Sequence, residues 1–145
     1  MEIEDILDVW TKDASIDETD LSAESLNTPN LHSKYIRMLT TVRLKKLRLI
    51  ETRKQVQQML REYYAGDLNN PADLESINRP PNPKKILRQD LQLYVDGDKE
   101  MRDMNLRIGY LDETVKLLED ILKNIHIRGF AIKNALDYQK FISGG

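Results

Sequence analysis

The fold is decided by the stretch MRDMNLRIGYLDETVKLLEDILKNIHIR, which occupies residues 101–128. Its apolar residues recur at alternating intervals of three and four: Met101, Met104, Ile108, Leu111, Val115, Leu118, Leu122 and Ile125. This heptad spacing places one apolar seam along an α-helix. Gly129 takes the next seam position, and Ile132 and Leu136 follow it. The pattern predicts a helix over residues 98–142, which Gly129 either bends or opens to a close helix neighbour.

A second seam lies earlier in the chain, over residues 28–65. Its apolar positions are Leu31, Tyr35, Met38, Val42, Leu49, Val56, Met59 and Tyr63, with Lys45 and Thr52 at the two skipped sites. The pair Thr28-Pro29 is typical of a helix start, with Thr as N-cap and Pro at the first helical position. Gly66 is a typical stop. Two long seams predict an all-α fold of antiparallel, coiled-coil-like helices.

The segments around these helices differ in composition. Residues 1–27 are acidic and begin with a short amphipathic helix over residues 2–13, whose apolar positions are Ile3, Ile6, Leu7 and Trp10. Residues 66–97 are predicted as a Pro-rich loop with short elements. Within them, residues 84–90 fit one or two helical turns, and the alternation in residues 91–95 fits a short extended piece. At 145 residues, the chain is predicted to form a single helical domain.

The composition excludes several kinds of chemistry. Without cysteine, the chain forms no disulfide, iron–sulfur cluster or cysteine–zinc site. His32 and His126 lie too far apart in sequence for a zinc motif and are predicted as structural. No phosphate-binding glycine loop or hydrolase motif occurs, so we predict neither an enzyme nor a cofactor. Without a long apolar run or a signal peptide, a soluble cytoplasmic protein is expected.

Charge is distributed very unevenly along the chain. Residues 1–32 hold nine acids and one base, a net charge of −8. Residues 33–61 hold one acid and nine bases, a net charge of +8, and these bases are Lys34, Arg37, Arg43, Lys45, Lys46, Arg48, Arg53, Lys54 and Arg61. An ordinary exposed helix mixes signs to gain pairs one turn apart, whereas these cations are almost unopposed. They need a counter-anion.

Three counter-anions are conceivable: a nucleic-acid backbone, an anionic lipid surface, or the acidic N-terminal segment. The lipid surface is the weakest choice, because the basic helix lacks the Trp- and Phe-rich face of membrane-surface helices. A cationic stripe on a rigid helix suits phosphates, and no element for reading base edges is present. The residues therefore predict sequence-independent nucleic-acid binding. Tyr35, Tyr63 and Tyr64 are candidates for stacking on bases, and the alternative for Tyr35 and Tyr63 is that they fill the seam.

The last turns of the chain carry more apolar surface than one helix pair buries. A second stripe, formed by Phe130, Tyr138 and Phe141, begins only after Gly129. Two apolar sides on one helix predict a contact between subunits, and hence a homo-oligomer.

The order of motifs resembles the UvsY-type recombination mediator family of T-even-like bacteriophages. The matching residues are Ile16-Asp17, Leu31, Ser33-Lys34, Tyr35, Leu47-Arg48, Arg53-Lys54, Tyr63-Tyr64, Gly66, Asp137 and Phe141. The most specific match is the run RGFAIK, residues 128–133. Nearly the whole chain is covered, although residues 67–100 match poorly.

The resemblance implies a mediator without enzymatic activity in the cytoplasm of an infected host cell. It implies a homo-oligomeric ring of six or seven subunits that binds single-stranded DNA. It further implies that the ring weakens the hold of the phage single-strand-binding protein and helps a RecA-like recombinase of the UvsX type to load. The nine bases would form the DNA surface. The oligomerisation residues would be Ile125, Arg128, Gly129, Phe130, Ile132, Lys133, Leu136, Tyr138 and Phe141.

The chain departs from the family pattern at one place. The family has a DNA-binding Lys-Ala-Arg just before the tyrosine pair, and the matching stretch here is Gln58-Met59-Leu60, with Arg61 next to it. Arg37, Lys45 and Lys46 are the bases expected to compensate. The alternative function is an oligomeric coiled-coil adaptor without nucleic-acid binding, in which the acidic segment neutralises the basic helix.

Overall fold

The computed structural model describes residues 1–82 and 85–144. The helices in these residues are α1 (Ile3–Ala14), α2 (Leu21–Ala65), α3 (Pro71–Ser76), α4 (Leu91–Gly97) and α5 (Lys99–Ile142), and a 3₁₀ turn spans Arg88–Asp90. No strand occurs within the described ranges, so the all-α prediction is confirmed. The short N-terminal helix and the long C-terminal helix lie within two residues of their predicted bounds.

The chain divides into two compact units. Unit 1 comprises Met1–Leu44 and Asp112–Gly145, and unit 2 comprises Lys45–Leu111. Each unit therefore contains one part of α2 and one part of α5. The prediction of a single domain remains a prediction.

Unit 1 is built on the seams that the sequence predicts. Its core contains Ile6, Leu31, Tyr35, Leu39, Leu118, Ile121 and Ile125. Trp10 of α1 packs edge-on against the Tyr35 ring, with centroids 5.4 Å apart. Within this unit α2 and α5 run antiparallel, because Glu24 pairs with Arg128 while Arg43 pairs with Glu119. Burying the apolar stripe of α1 fixes the acidic N-terminal helix to this core.

Unit 2 has a smaller core. Leu60, Val95 and Met101 are buried, and Val56, Met59 and Tyr64 pack against them. The α4 helix contributes Val95, and the loop before it is held by Arg79, which donates two hydrogen bonds to the Asp98 carboxylate at 2.8 and 2.9 Å.

The predicted start of α2 at Thr28 is wrong, because the helix begins at Leu21 and contains Pro29. An interior proline costs about 3 kcal/mol, because it removes one backbone donor and crowds the preceding turn. Three features offset this cost. Asp20 accepts a hydrogen bond from the Ala23 amide, Leu21 is buried, and Arg128 binds the carbonyl of Glu24. The contacts of Leu21 and Arg128 therefore favour a helix start at Leu21 over the predicted start at Thr28.

Residues 88–95, for which the sequence allowed a helical or an extended structure, are also helical. Residues 91–95 belong to α4 and not to an extended piece, since Leu91, Tyr94 and Val95 are turned inward while Leu93 is exposed. This inward spacing is helical, although the apolar alternation suggested a strand. Residues 71–76, expected in a loop, form α3 because Asn70 caps the Asp73 amide at 2.8 Å. The predictions for Pro83 and Lys84 lie outside the described residues.

The seam of α5 contains more than the predicted heptad positions. Thr114, Ile121 and Arg128 are buried beside the predicted residues, whereas Gly129 is exposed. The helix continues through Gly129, and, apart from its own turn of helix, a side-chain carbon placed there would have no described atom within 4 Å. Gly129 therefore serves no close approach among the described residues.

Candidate nucleic-acid interface

The nine predicted cations all lie on α2. Unit 1 holds Lys34, Arg37 and Arg43, and unit 2 holds Lys45, Lys46, Arg48, Arg53, Lys54 and Arg61. Lys46 and Arg53 are half-buried, and the other seven are exposed. Successive exposed cations along α2 are two to seven residues apart in the sequence.

Three of these cations are paired with carboxylates. Lys34 pairs with Asp13 at 2.6 Å, Arg43 with Glu119 at 3.1 Å, and Lys54 with Glu51 at 2.9 Å. Exposed pairs of this kind contribute about 0–1 kcal/mol, so a phosphate can displace them at little cost. The pair with Asp13 shows that the acidic segment does neutralise the basic helix at one position.

Three further cations make no ion pair with any described residue: Arg37 in unit 1, and Lys45 and Arg48 in unit 2. Lys45 and Arg48 are three residues apart, so they lie one turn apart on the same side of α2. Neighbouring uncompensated cations attract a phosphodiester backbone strongly, because binding it releases condensed counterions.

Arg53 and Arg61 are oriented by neutral partners. The Nη1 of Arg53 donates to the Asn105 Oδ1 at 3.1 Å, and the Nη1 of Arg61 donates to the Gln92 Oε1 at 2.7 Å. An amide partner fixes a guanidinium without cancelling its charge. Arg61 also lines an open groove on α2 in unit 2, together with Lys54, Gln57, Gln58 and Glu62.

Two of the three tyrosines cannot stack on bases. Tyr35 and Tyr63 are buried, so the alternative that they fill the seam is confirmed. The Tyr35 hydroxyl donates to Asp13 at 2.8 Å, and its pKa is raised by burial and by this carboxylate. Burial alone would raise the pKa of Asp13, but hydrogen bonds from Lys34 and Tyr35 lower it below its usual value.

Tyr64 is half-buried and takes part in a polar cluster that the sequence did not reveal. Its hydroxyl donates to the Asp98 carboxylate, which also accepts both hydrogen bonds from Arg79. The hydrogen bonds from Arg79 lower the pKa of Asp98 to about 2, while burial and the Asp98 carboxylate raise the pKa of Tyr64. Glu100 accepts a third hydrogen bond from Arg79 at 3.0 Å.

This cluster holds the tyrosine pair at the end of α2. The guanidinium of Arg79 lies 5.1 Å from the centre of the Tyr63 ring, and the Tyr63 hydroxyl donates to the Pro80 carbonyl at 2.7 Å. The sequence contains one indication of this polar cluster, since Arg79 is the single base between residues 62 and 83. A lone base in a Pro-rich loop has no evident partner until the fold brings Asp98 to it.

Comparison with known proteins identifies the family of this chain. The sequence model of the family described as "Recombination, repair and ssDNA binding protein UvsY" matches residues 9–145. The chain belongs to the UvsY family. It is 28% identical over 145 residues to the Recombination protein uvsY of Enterobacteria phage T4, a match that covers 99% of each chain.

Solved structures of the T4 recombination mediator protein UvsY share the fold. The crystal form called Lattice Type II aligns with a TM-score of 0.83 at 24% identity, over 99% of this chain and 98% of that one. Lattice Type I aligns with a TM-score of 0.82 at 23% identity, over 94% and 98% of the two chains.

The stretch 58–60, which departs from the expected family pattern, lies largely in the core of unit 2. Within the stretch 58–60, Leu60 is fully buried and Met59 packs against the core of unit 2, so only Gln58 is exposed. Two of the three positions are therefore part of the core in this UvsY-family chain. The exposed cations nearest to them on α2 are Lys54 and Arg61.

The residues predicted for oligomerisation fall into two groups. Ile125, Arg128 and Ile132 are buried within unit 1, where their contacts are with the chain itself. Gly129, Lys133 and Leu136 are exposed, as are Phe130, Tyr138 and Phe141, with 59%, 64% and 80% of their surfaces accessible. The exposed group is the one available to a second subunit.

Within residues 1–82 and 85–144, no group of three or more metal-ligating side chains comes together. No helix in the described part of the chain has the length and apolarity required to cross a membrane.

Proposed function

We propose that this protein is a non-enzymatic recombination mediator. It binds single-stranded DNA without sequence specificity and assembles into a ring of six or seven subunits. It promotes loading of a RecA-like recombinase of the UvsX type onto DNA covered by the phage single-strand-binding protein. These steps serve homologous recombination, repair and recombination-dependent replication in the cytoplasm of the infected host.

The observation that carries this proposal is the set of exposed cations on α2 in a chain of the UvsY family. Arg37, Lys45 and Arg48 lack carboxylate partners among the described residues, and Arg53 and Arg61 are held by neutral amides. Contacts of this kind reach phosphates and do not distinguish bases. They support binding that ignores sequence, which a mediator acting on any single strand requires.

Assembly would strengthen the weak DNA binding of a single subunit. A few phosphate contacts per subunit give modest affinity, but several subunits that share one strand bind it with a high effective concentration. The exposed Phe130, Tyr138 and Phe141 support such an assembly, because three large apolar rings in the last turns of one helix favour burial against another subunit.

The test is fluorescence anisotropy of a labelled oligo-dT over a salt series, with light scattering to report the oligomer. The variant is Arg37→Gln/Lys45→Gln/Arg48→Gln. The matched control, Lys12→Gln/Lys99→Gln/Lys123→Gln, removes three exposed charges that make no ion pair with the described residues. Single-strand binding loses about 0.7 of logarithmic salt slope per phosphate contact, so the variant should lose about 2 units per bound subunit. Equal slopes in variant and control would contradict the proposed surface.

A second function, a coiled-coil adaptor without DNA binding, is favoured by one observation: the ion pair between Lys34 and Asp13. Deleting the acidic segment would not test it cleanly, since Ile6 and Trp10 belong to the core of unit 1. The variant Asp13→Asn breaks the pair and leaves that core in place. The adaptor requires that the wild-type protein ignore oligo-dT at low salt and that Asp13→Asn create binding.

A further inference from the structure

Two complete helix-start signals lie at the beginning of α2, and the structure uses the earlier one. Asp20 caps the helix: its carboxylate accepts from the Ala23 amide at 3.3 Å, and its carbonyl accepts from the Glu24 amide at 3.1 Å. The later signal, Thr28-Pro29, has an N-cap hydroxyl and a proline suited to the first helical position. Residues 21–28 can therefore leave the helix and still expose a well-formed helix start.

Pro29 weakens the helix at this point. It has no N–H to donate to the Ser25 carbonyl, and its ring crowds that carbonyl. Thr28 and Pro29 also line an open groove of unit 1 with a volume of about 550 Å³, whose other residues include His32 and Phe130. The turn before Pro29 thus combines a missing hydrogen bond with unfilled space beside it.

Arg128 of α5 holds this weak turn in place. Its guanidinium donates to the Glu24 carbonyl at 2.8 Å and to the Thr28 hydroxyl at 3.0 Å, and it forms an ion pair with the Glu24 carboxylate. The Arg128 side chain is only 4% exposed, and its Nε has no hydrogen-bond partner. A buried arginine with one unsatisfied N–H depends heavily on its remaining partners.

The segment before Pro29 covers apolar residues of unit 1. Ile6 lies in one cluster with Leu31, Tyr35 and Ile125, and Trp10 packs on the Tyr35 ring. If the segment moved away, these residues of α2 and α5 would become surface.

We propose that residues 1–28 form a hinged strap, with Pro29 as the hinge and Arg128 as the latch. Closing the strap buries the apolar residues beneath it. Opening it shortens α2 to the start at Thr28-Pro29 and exposes an apolar face in unit 1. Opening therefore removes Ile6 and Trp10 from the core of unit 1 and leaves residues 36–44 of α2 helical.

The test is hydrogen–deuterium exchange of the full-length protein, read by mass spectrometry at a fixed oligomeric state. Opening of the strap predicts that the amides of residues 6–13 and 25–28 exchange together, about ten times faster than those of residues 36–44 on α2. Arg128→Gln should accelerate exchange of residues 25–28 about tenfold further and leave residues 36–44 unchanged. The control Lys123→Gln removes an exposed charge from α5 and should change neither rate.

A second variant keeps the test decisive if Arg128→Gln fails to fold. Pro29→Ala restores the missing backbone donor, so it should slow exchange of residues 25–28 alone. The proposal is overturned if residues 25–28 and 36–44 exchange at one common rate in the wild type. It is equally overturned if Pro29→Ala leaves the rate of residues 25–28 unchanged.

Discussion

Replacement of Asp98 by asparagine should destabilise unit 2 and remove a defined acid sensitivity. Asp98 accepts two hydrogen bonds from Arg79 and one from Tyr64, and its side chain is only 6% exposed. The variant leaves the partly buried Arg79 with Glu100 as its remaining carboxylate. Breaking one partner of a buried pair costs about 3–5 kcal/mol, so a loss near 3 kcal/mol of unfolding free energy is expected at pH 7.

The pKa of Asp98 determines how much unfolding free energy its carboxylate contributes and at which pH that contribution is lost. The folded pKa of Asp98 is about 2, against an ordinary value of 3.8. A carboxyl whose pKa is lower in the folded than in the unfolded protein stabilises the folded state at pH values above its unfolded pKa. That stabilisation is lost as the pH falls through the folded pKa. The difference between these two pKa values corresponds to roughly 2 kcal/mol of unfolding free energy, most of which should be lost between pH 4 and pH 2.

Urea unfolding at a fixed protein concentration, followed by circular dichroism at several pH values, measures both effects. The stability gap between wild type and Asp98→Asn should shrink by about 2 kcal/mol from pH 7 to pH 2. The control Asp103→Asn changes an exposed acid in the first turns of α5 and should behave as the wild type. A gap that stays constant with pH would refute the assignment of the lowered pKa to this cluster.

Three further predictions concern the core, the DNA surface and assembly. Leu60→Ala should cost about 2–5 kcal/mol of unfolding free energy because Leu60 is fully buried, whereas Gln58→Ala should cost little because Gln58 is exposed. Urea unfolding measures both losses, and equal losses would contradict the packing of Leu60. Lys45→Gln/Arg48→Gln should lower the salt slope of oligo-dT binding by about 1.4 units, and an unchanged slope would place the DNA elsewhere. Phe130→Ser/Phe141→Ser should reduce the mass seen by light scattering while helicity persists, and an oligomer of full size would exclude these side chains from the contact.

The sequence predicted the long elements well because their signal is repeated. The heptad of α5 extends over many turns, so the burial of residues such as Ile108 and Leu118 followed directly from spacing. The start of α2 was missed because Thr28-Pro29 is a strong local signal. The burial of Leu21 and the contacts of Arg128, which is distant in sequence, override it.

The site was predictable in composition but not in detail. The run of bases identified α2 as the charged surface, yet spacing could not show that Arg53 and Arg61 are held by amides on other helices. Nor could it place Arg128 inside unit 1, because a charged residue in a family motif suggests an exposed role. Pairing between residues 100 or more positions apart depends on the complete fold.

The most direct test of the mediator account measures recombinase loading. A labelled RecA-like recombinase is added to an immobilised single strand already covered by the single-strand-binding protein, with or without this protein. The account predicts faster accumulation of recombinase with the wild-type protein, and no acceleration with Arg37→Gln/Lys45→Gln/Arg48→Gln. If the wild-type protein binds the strand but leaves the loading rate unchanged, the mediator function is contradicted.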